Sequence, residues 1–141
     1  MSSMRKTRTV SVSIDCPPDD VAAFASSPEN LPKWAAAFAH SVRRSGDDWL
    51  VETPAGEIAI RFVACNEFGV LDHVVTLSSG ESVTNPMRVV PNGEGSEVMF
   101  TLFQASETSE QEFAADAAMV QRDLQTLKII LEGRRHENGS A

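Results

Sequence analysis

Apolar and polar residues alternate along most of the first hundred positions, which is the period of a β-strand with one buried face. The first alternating segment covers residues 9–14 and ends before Pro17-Pro18, because prolines cannot continue a hydrogen-bonded ladder. The next twenty positions have apolar residues at helical spacing, which Pro28 and Pro32 interrupt. This stretch therefore predicts two short helices directly after the first strand.

Six further alternating segments follow, with no helical pattern between them. Turn-forming residues separate these segments, among them the Asn92-Gly93 pair that favours a hairpin. Because such short connections join neighbouring antiparallel strands, the segments predict a meander. The predicted strands are 41–44, 48–52, 57–65, 70–77, 83–90 and 97–103.

The last predicted element is a long amphipathic helix. Ser109 and Glu112 have the spacing of a capping box at its start, and Gly133 predicts its end. Its apolar residues recur every three or four positions, as they do on one face of a helix. They are Phe113, Ala117, Val120, Leu124, Leu127 and Leu131.

This order of elements predicts an α+β domain with a seven-stranded antiparallel sheet. The long C-terminal helix, with about 24 residues, is the element large enough to cover the apolar face of that sheet. A twisted sheet that holds such a helix leaves space between them, so we expect an internal cavity. One domain is expected over residues 7–133, with flexible termini at 1–6 and 134–141.

Charge and composition narrow the range of partners. The 141 residues include 20 acidic and 12 basic side chains, for a formal net charge of -8. Nucleic acids and anionic membranes bind through clusters of Lys and Arg, so we expect neither as a partner. Cys16 and Cys65 form no metal-binding spacing, and no apolar run approaches about 20 residues. Composition thus predicts a cytoplasmic protein without metal, cofactor or membrane insertion.

The strand phases predict which side chains face the cavity. On each central strand one phase is the more apolar; its polar exceptions are His73 and Asn85, with Gln104 as a further candidate. A mostly apolar lining with a few polar groups is typical of a pocket for a small molecule. The residues expected to bind the ligand are Trp34, Phe62, His73, Val75, Asn85, Met87, Phe100 and Leu124.

Three of these residues have a structural alternative. His73 is the candidate acid or base, since imidazole titrates near neutral pH, but it can equally be a buried residue bonded to a neighbour. Asn85 could hold a carbonyl oxygen, or it could mark a kink before Pro86. Trp34 could line the mouth of the cavity, or it could plug the junction between the short helices and the sheet.

The opposite phase predicts the outer face of the sheet. Arg88 is expected there with Glu97, where the two could pair, although a shift of one residue would turn Arg88 towards the cavity. Val90, Met99 and Phe103 lie on the same outer phase. Together they would form an exposed apolar patch, which predicts a homodimer.

The N-terminal third of the chain resembles the opening of SRPBCC, or START-like, proteins. That opening has a strand, a helix start marked by proline, and a Trp after a second short helix. The matching segments are Val12-Ser13-Ile14, Pro17-Pro18-Asp19-Asp20-Val21, Phe24 and Ser27–Trp34, with Asp123-Leu124 and Leu127-Lys128 in the last helix. The resemblance implies a helix-grip fold and is closest to small bacterial polyketide cyclase/dehydrase-like proteins.

Three functions are compatible with these patterns. The first is binding of a small hydrophobic or aromatic molecule between the sheet and the C-terminal helix. The second, implied by the resemblance, is a cyclase or dehydratase that acts on a polyketide-like substrate while His73 moves a proton. The third is a non-enzymatic protein-interaction module that uses a surface and no pocket.

Overall fold

The computed structural model describes residues 4–64 and 66–139, and their elements follow the predicted order. Two short helices after the first strand are confirmed, with a 3-10 turn between them. These N-terminal elements are β1 (Thr7–Ile14), α1 (Pro18–Ala25), the 3-10 turn (Pro28–Asn30) and α2 (Leu31–Trp34). The remaining elements are β2 (Ser41–Ser45), β3 (Asp48–Thr53), β4 (Gly56–Phe62), β5 (His73–Thr76), β6 (Ser82–Asn85), β7 (Met87–Asn92), β8 (Gly95–Phe103) and α3 (Glu110–Gly139).

The strands pair in antiparallel fashion and form two sheets that meet beside Pro86. The strand orders are β1-β8-β7 and β2-β3-β4-β5-β6. At the junction the Thr101 N–H donates to the Pro86 carbonyl at 2.9 Å, and Asn85 Nδ2 donates to the Thr101 carbonyl at 3.4 Å. An isolated bridge also joins Val70, in the connection before β5, to Arg88 on β7. The sheets therefore form one continuous surface, whose inner face packs against α3 and the short helices.

Pro86 explains why the described chain has eight strands where seven were predicted. Proline has no backbone N–H to donate, so the predicted strand 83–90 is divided into β6 and β7. The interpretation that Asn85 marks a kink before Pro86 describes this break between β6 and β7. The α+β architecture and the antiparallel pairing are as predicted.

The predicted strand phases are confirmed by burial. On the inner face Ile60, Val75 and Val98 are buried, while their neighbours on the opposite phase are more exposed. The hairpin between β7 and β8 pairs Asn92 with Gly95, so its two-residue loop places Val98 opposite Val89, as the phase prediction required. The inner face is therefore the apolar face.

Helix α3 begins as predicted and ends later than predicted. The Ser109 N–H donates to Glu112 Oε1 at 3.0 Å and the Glu112 N–H donates to Ser109 Oγ at 3.1 Å, which confirms the capping box. The prediction that Gly133 ends the helix is wrong, because α3 continues to Gly139. One glycine costs a helix only about 1 kcal/mol, and helix-forming residues flank it.

The apolar stripe of α3 packs on β1 and also contacts β8 and α2, with Leu124 and Leu127 fully buried. The described helices, α3 included, lack an apolar stretch long enough to cross a bilayer. The predicted flexible positions 1–3 and 140–141 lie outside the described residues.

In the connection from β4 to β5, the side chain of Asn66 forms hydrogen bonds with the backbone, and Gly69 allows close contact with β7. Asn66 Nδ2 donates to the Ala64 and Val70 carbonyls, and Asn66 Oδ1 accepts the N–H groups of Phe68 and Val70. Gly69 has φ +72°, and a Cβ there would stand 2.0 Å from the Val89 carbonyl oxygen. The backbone of this connection therefore packs directly on β7 and needs glycine at position 69.

Candidate functional site

An imidazole between two phenyl rings lies at the centre of the inner face. His73 begins β5, and its ring centroid is 4.8 Å from that of Phe62 on β4 and 5.4 Å from that of Phe100 on β8. Cross-strand pairing creates the first contact, because Phe62 and His73 are direct partners in the ladder. Three strands thus contribute one ring each to this cluster, which we call the inner aromatic cluster.

The environment of His73 favours a neutral imidazole. Its side chain is buried, at 5% exposure, and Nδ1 lies 3.0 Å from the Leu71 carbonyl oxygen. Burial lowers the pKa of His73 below its ordinary value of 6.5, and the carbonyl contact and the Asp72 charge oppose that effect. A carbonyl oxygen can only accept, so a neutral His73 carries its proton on Nδ1 and leaves Nε2 unprotonated.

The predicted ligand-binding residues fall into two groups on the inner face, one partly exposed and one buried. Phe62, Asn85 and Phe100 are partly exposed, so they are accessible from solvent. Met87 and Leu124 have no accessible surface, so no space as large as a water molecule touches either side chain. The buried residues of the predicted set form the packed base beneath the accessible ones, and they are Trp34, His73, Val75, Met87 and Leu124.

Trp34 occupies the junction between the short helices and the rest of the core. It is the last residue of α2, which contacts α3 and β2, and its side chain is 4% exposed. Of the two roles predicted for Trp34, this position corresponds to the second, in which it plugs the junction between the short helices and the sheet. Among the described residues, its indole Nε1 is the buried side-chain nitrogen that lacks a hydrogen-bond partner.

A buried carboxyl group, that of Asp123 on α3, is absent from the set of predicted site residues. Asp123 Oδ1 accepts the Ala37 N–H at 3.2 Å, and the Phe38 N–H also contributes. Burial raises the pKa of Asp123 to about 6, although these N–H groups and Arg122 pull it down. A signal was present, because position 123 is three residues after Val120 and four before Leu127, on the apolar stripe of the helix.

The outer face carries an ion pair that differs from the predicted one. Arg88 lies on this face, as predicted, but the expected pairing with Glu97 is wrong. Arg88 Nε and Nη2 donate to the two carboxylate oxygens of Asp72 at 3.0 and 2.9 Å. In the ladder Glu97 stands opposite Val90, and it accepts hydrogen bonds from Ser13 and Asn92. The chain brings Asp72 alongside Arg88 because residue 70 bridges to residue 88.

The predicted apolar patch of the outer face is less exposed than the sequence suggested. Val90, Met99 and Phe103 are all partly buried. Arg88 is the ladder partner of Met99, so a charged side chain interrupts the patch. The largest exposed aromatic of the described chain is elsewhere, at Phe68 in the β4–β5 connection, where the side chain is 76% exposed.

Two surface clefts have linings that do not include Phe62, His73 or Phe100 of the inner aromatic cluster. One, of about 420 Å³, lies between the end of β1, the β7–β8 hairpin and α3, near Lys128 and Glu132. The other, of about 300 Å³, lies between α1 and the β4–β5 connection. Within the described residues, no group of three or more His, Cys, Asp or Glu side chains is arranged to hold a metal ion.

Comparison with solved structures finds the same fold at low sequence identity. XoxI from Bacillus cereus superposes with a TM-score of 0.72 at 18% identity, over 89% of this chain and 94% of that one. The Aha1 dimer from Colwellia psychrerythraea gives 0.73 at 14%, over 90% and 96%. Ara h 8.0201 gives 0.67 at 15%, over 89% and 97%. These similarities show a shared helix-grip fold.

Comparison with curated proteins finds no match. A family model does match, and it covers residues 5–129, from the start of β1 well into α3. Its description is polyketide cyclase / dehydrase and lipid transport. The elements that carried the sequence resemblance, β1 with α1 and α2 and the first two thirds of α3, fall within these residues. The chain therefore belongs to the polyketide cyclase/dehydrase and lipid transport family of SRPBCC proteins.

Proposed function

We propose that the chain binds a small hydrophobic or aromatic molecule against the inner face of the sheet, beside α3. The observation that carries the proposal is the partial exposure of Phe62 and Phe100, two aromatic side chains on the inner face whose neighbours Ile60 and Val98 are buried. An aromatic surface left accessible on an otherwise packed apolar face is suited to contact a planar or aliphatic ligand.

Family membership supports the proposal, because the family is described by cyclases, dehydrases and lipid transport, all of which handle largely apolar molecules. Polar groups near the cluster would orient such a molecule. Asn85 is the ladder partner of His73 and is partly exposed. Its Nδ2 already donates to Thr101, so it is held in place by the strand junction.

Binding is tested with 1-aminoanthracene, whose fluorescence rises in an apolar site. We expect saturable binding to the wild-type protein. The dissociation constant of Phe100→Ala should be at least tenfold larger, because this variant lacks one ring of the inner aromatic cluster. Phe103→Ala is the matched control, because Phe103 is on the same strand, partly buried and on the outer face. Absence of saturable binding to the wild type, or equal weakening by both variants, would contradict the proposal.

A second candidate function is proton transfer by His73, and a specific observation favours it. The contact of Nδ1 with the Leu71 carbonyl leaves Nε2 as a proton acceptor, and the lowered pKa keeps it unprotonated at neutral pH. Such a base could remove a proton next to the carbonyl group of a bound ketone. Exchange of the C1 protons of 2-tetralone in D2O, followed by NMR, tests this chemistry. Loss of protein-catalysed exchange in His73→Gln with retained 1-aminoanthracene binding would support it, and unchanged exchange would exclude it.

The homodimer predicted from the sequence also remains a proposal. The Aha1 protein of Colwellia psychrerythraea, which shares the fold, is described as a dimer. If Val90 and Met99 contribute to such an interface, Met99→Asp converts a dimer into a monomer. Light scattering at several protein concentrations distinguishes the two states, and a constant monomer mass for the wild type would rule the dimer out.

A further inference from the structure

The indole N–H of Trp34 is a buried donor that the described chain leaves unsatisfied. The side chain is 4% exposed, so bulk water does not replace the missing partner. A buried N–H without an acceptor destabilises the folded state, and such groups are few in native proteins. Each one therefore requires a specific explanation.

The other buried polar side chains in the described residues find partners within the chain. His73 contacts the Leu71 carbonyl, and Ser96 Oγ donates to the Cys16 carbonyl at 2.7 Å. Asp123, the buried carboxyl group on α3, accepts N–H groups of the segment that follows α2. Although α2 contacts α3, this carboxyl group does not accept the indole proton of Trp34. The unsatisfied donor is thus an exception in a core that otherwise pairs its polar groups.

The position of Trp34 connects this donor to the inner face. Trp34 packs in one core cluster with Val51 and Ile58, which lie on the inner phases of β3 and β4. Partly buried aromatic side chains at Phe38 and Trp49 pack against the same cluster. Trp34 therefore belongs to the same buried core that lies beneath the face on which a ligand is proposed to bind.

Resting on the proposed function, we infer that the bound molecule carries an oxygen acceptor, as a ketone, aldehyde or ester does, and that this oxygen accepts the Trp34 indole proton. The inference defines the ligand class as oxygenated apolar molecules, in contrast to pure hydrocarbons. It also assigns Trp34 two roles: its rings complete the core and its N–H selects the ligand. A site that supplies a buried donor discriminates strongly against analogues that lack the matching acceptor.

The test uses 9-fluorenone and fluorene, which have the same tricyclic shape and differ in one carbonyl group. Both compete with 1-aminoanthracene for the wild-type protein and for Trp34→Phe, which keeps an aromatic ring and removes the donor. We expect the wild type to bind fluorenone about tenfold more tightly than fluorene, and Trp34→Phe to bind the two equally. Trp49→Phe is the matched control, since Trp49 is a partly exposed residue on the inner face, and it should keep the preference.

An NMR measurement keeps the test decisive if Trp34→Phe does not fold. The wild-type protein has two indole N–H signals, and the spectrum of Trp49→Phe assigns the one from Trp34. Fluorenone should move the Trp34 signal downfield, as a new hydrogen bond does, and fluorene should not. Binding of both compounds without preference and without this shift would overturn the inference and leave the proposed binding function intact. Failure of both compounds to bind, together with 1-aminoanthracene, would overturn the proposed function.

Discussion

Asp72 and Arg88 form a two-point ion pair across the place where Pro86 interrupts the sheet. Asp72 Oδ1 also accepts the Met87 N–H at 2.9 Å, so one carboxylate connects the chain before β5 to the start of β7. Asp72→Asn keeps the shape and removes the charge-assisted bonds. We expect it to lower the free energy of unfolding by about 1 kcal/mol in urea titrations. Arg61→Gln, which breaks an exposed pair with Asp48, is the control and should cost less than about 0.5 kcal/mol.

The ion pair between Asp72 and Arg88 also predicts part of the loss of protein stability in acid. Hydrogen bonding from Arg88 holds the pKa of Asp72 below its ordinary value of 3.8. A carboxyl group with a lowered folded-state pKa stabilises the native state above its unfolded value, and this contribution is lost as the pH falls below 3.8. Asp72→Asn should therefore lose less stability than the wild type when the pH is lowered below that value. Parallel pH profiles of the two proteins would show that the pair makes no such contribution.

For Asp123 we expect the contribution to protein stability to change with pH in the direction opposite to that of Asp72. Its pKa is raised from 3.8 to about 6 by burial, so the unfolded chain releases the proton more readily than the folded one. Its contribution to stability is therefore complete below pH 3.8 and is lost as the pH rises through about 6, by on the order of 3 kcal/mol. Asp123→Asn should flatten the stability profile in this window, as measured by thermal unfolding in matched buffers.

A second substitution at the same position separates charge from hydrogen bonding. Asp123→Leu removes the acceptor of the Ala37 N–H and leaves that group unpaired in a partly buried setting. We expect it to destabilise the protein by about 1–3 kcal/mol at every pH tested. If Asp123→Leu is as stable as Asp123→Asn at neutral pH, the link from α3 to the segment after α2 contributes nothing.

His73 predicts a further pH effect that can be separated from that of Asp123. Burial lowers the pKa of His73 below 6.5, so the unfolded chain takes up a proton that the folded chain does not. The native state consequently loses stability as the pH falls below 6.5, towards the folded-state pKa. His73→Phe, which retains a ring between Phe62 and Phe100, should abolish this loss. It should also cost about 1 kcal/mol at pH 8, because the Leu71 carbonyl loses its donor.

Gly69 is predicted to be the least replaceable glycine of the described residues. Alanine there would combine a positive φ with a Cβ only 2.0 Å from the Val89 carbonyl oxygen, so β7 or the β4–β5 connection must move. We expect Gly69→Ala to destabilise the protein by about 3 kcal/mol. Gly93→Ala isolates the effect of φ, since Gly93 has φ +60° and open space around it, and should cost about 1 kcal/mol. Equal losses in chemical denaturation would show that the contact with Val89 is unimportant.

The inner and outer faces were predictable because strand phase depends on local alternation. His73 could be assigned to the inner face from its own strand, and Ser109 with Glu112 marked the start of α3. The partner of Arg88 was not predictable in this way. Its choice between Glu97 and Asp72 depends on how two segments far apart in the chain align, and that alignment follows from the break at Pro86.

The polar interior was harder to predict for a similar reason. Asp123 sits on an apolar stripe, but its acceptor role depends on N–H groups from the segment after α2. The missing partner of Trp34 is likewise a property of everything around it. Helix and strand patterns describe one element at a time, whereas hydrogen-bond satisfaction in a core involves all the elements that meet there.

The pairing of β1 with β8 has a consequence for how the protein is made. Thr7 pairs with Phe103, so the first strand finds its ladder partner only after almost the whole sheet has been synthesised. Until then the apolar side of β1, with Val12 and Ile14, lacks its final neighbours on β8 and α3. Contacts so distant in sequence slow folding, because a long loop must close before they form. During translation the emerging N-terminal strand is therefore the segment that needs the longest protection from aggregation.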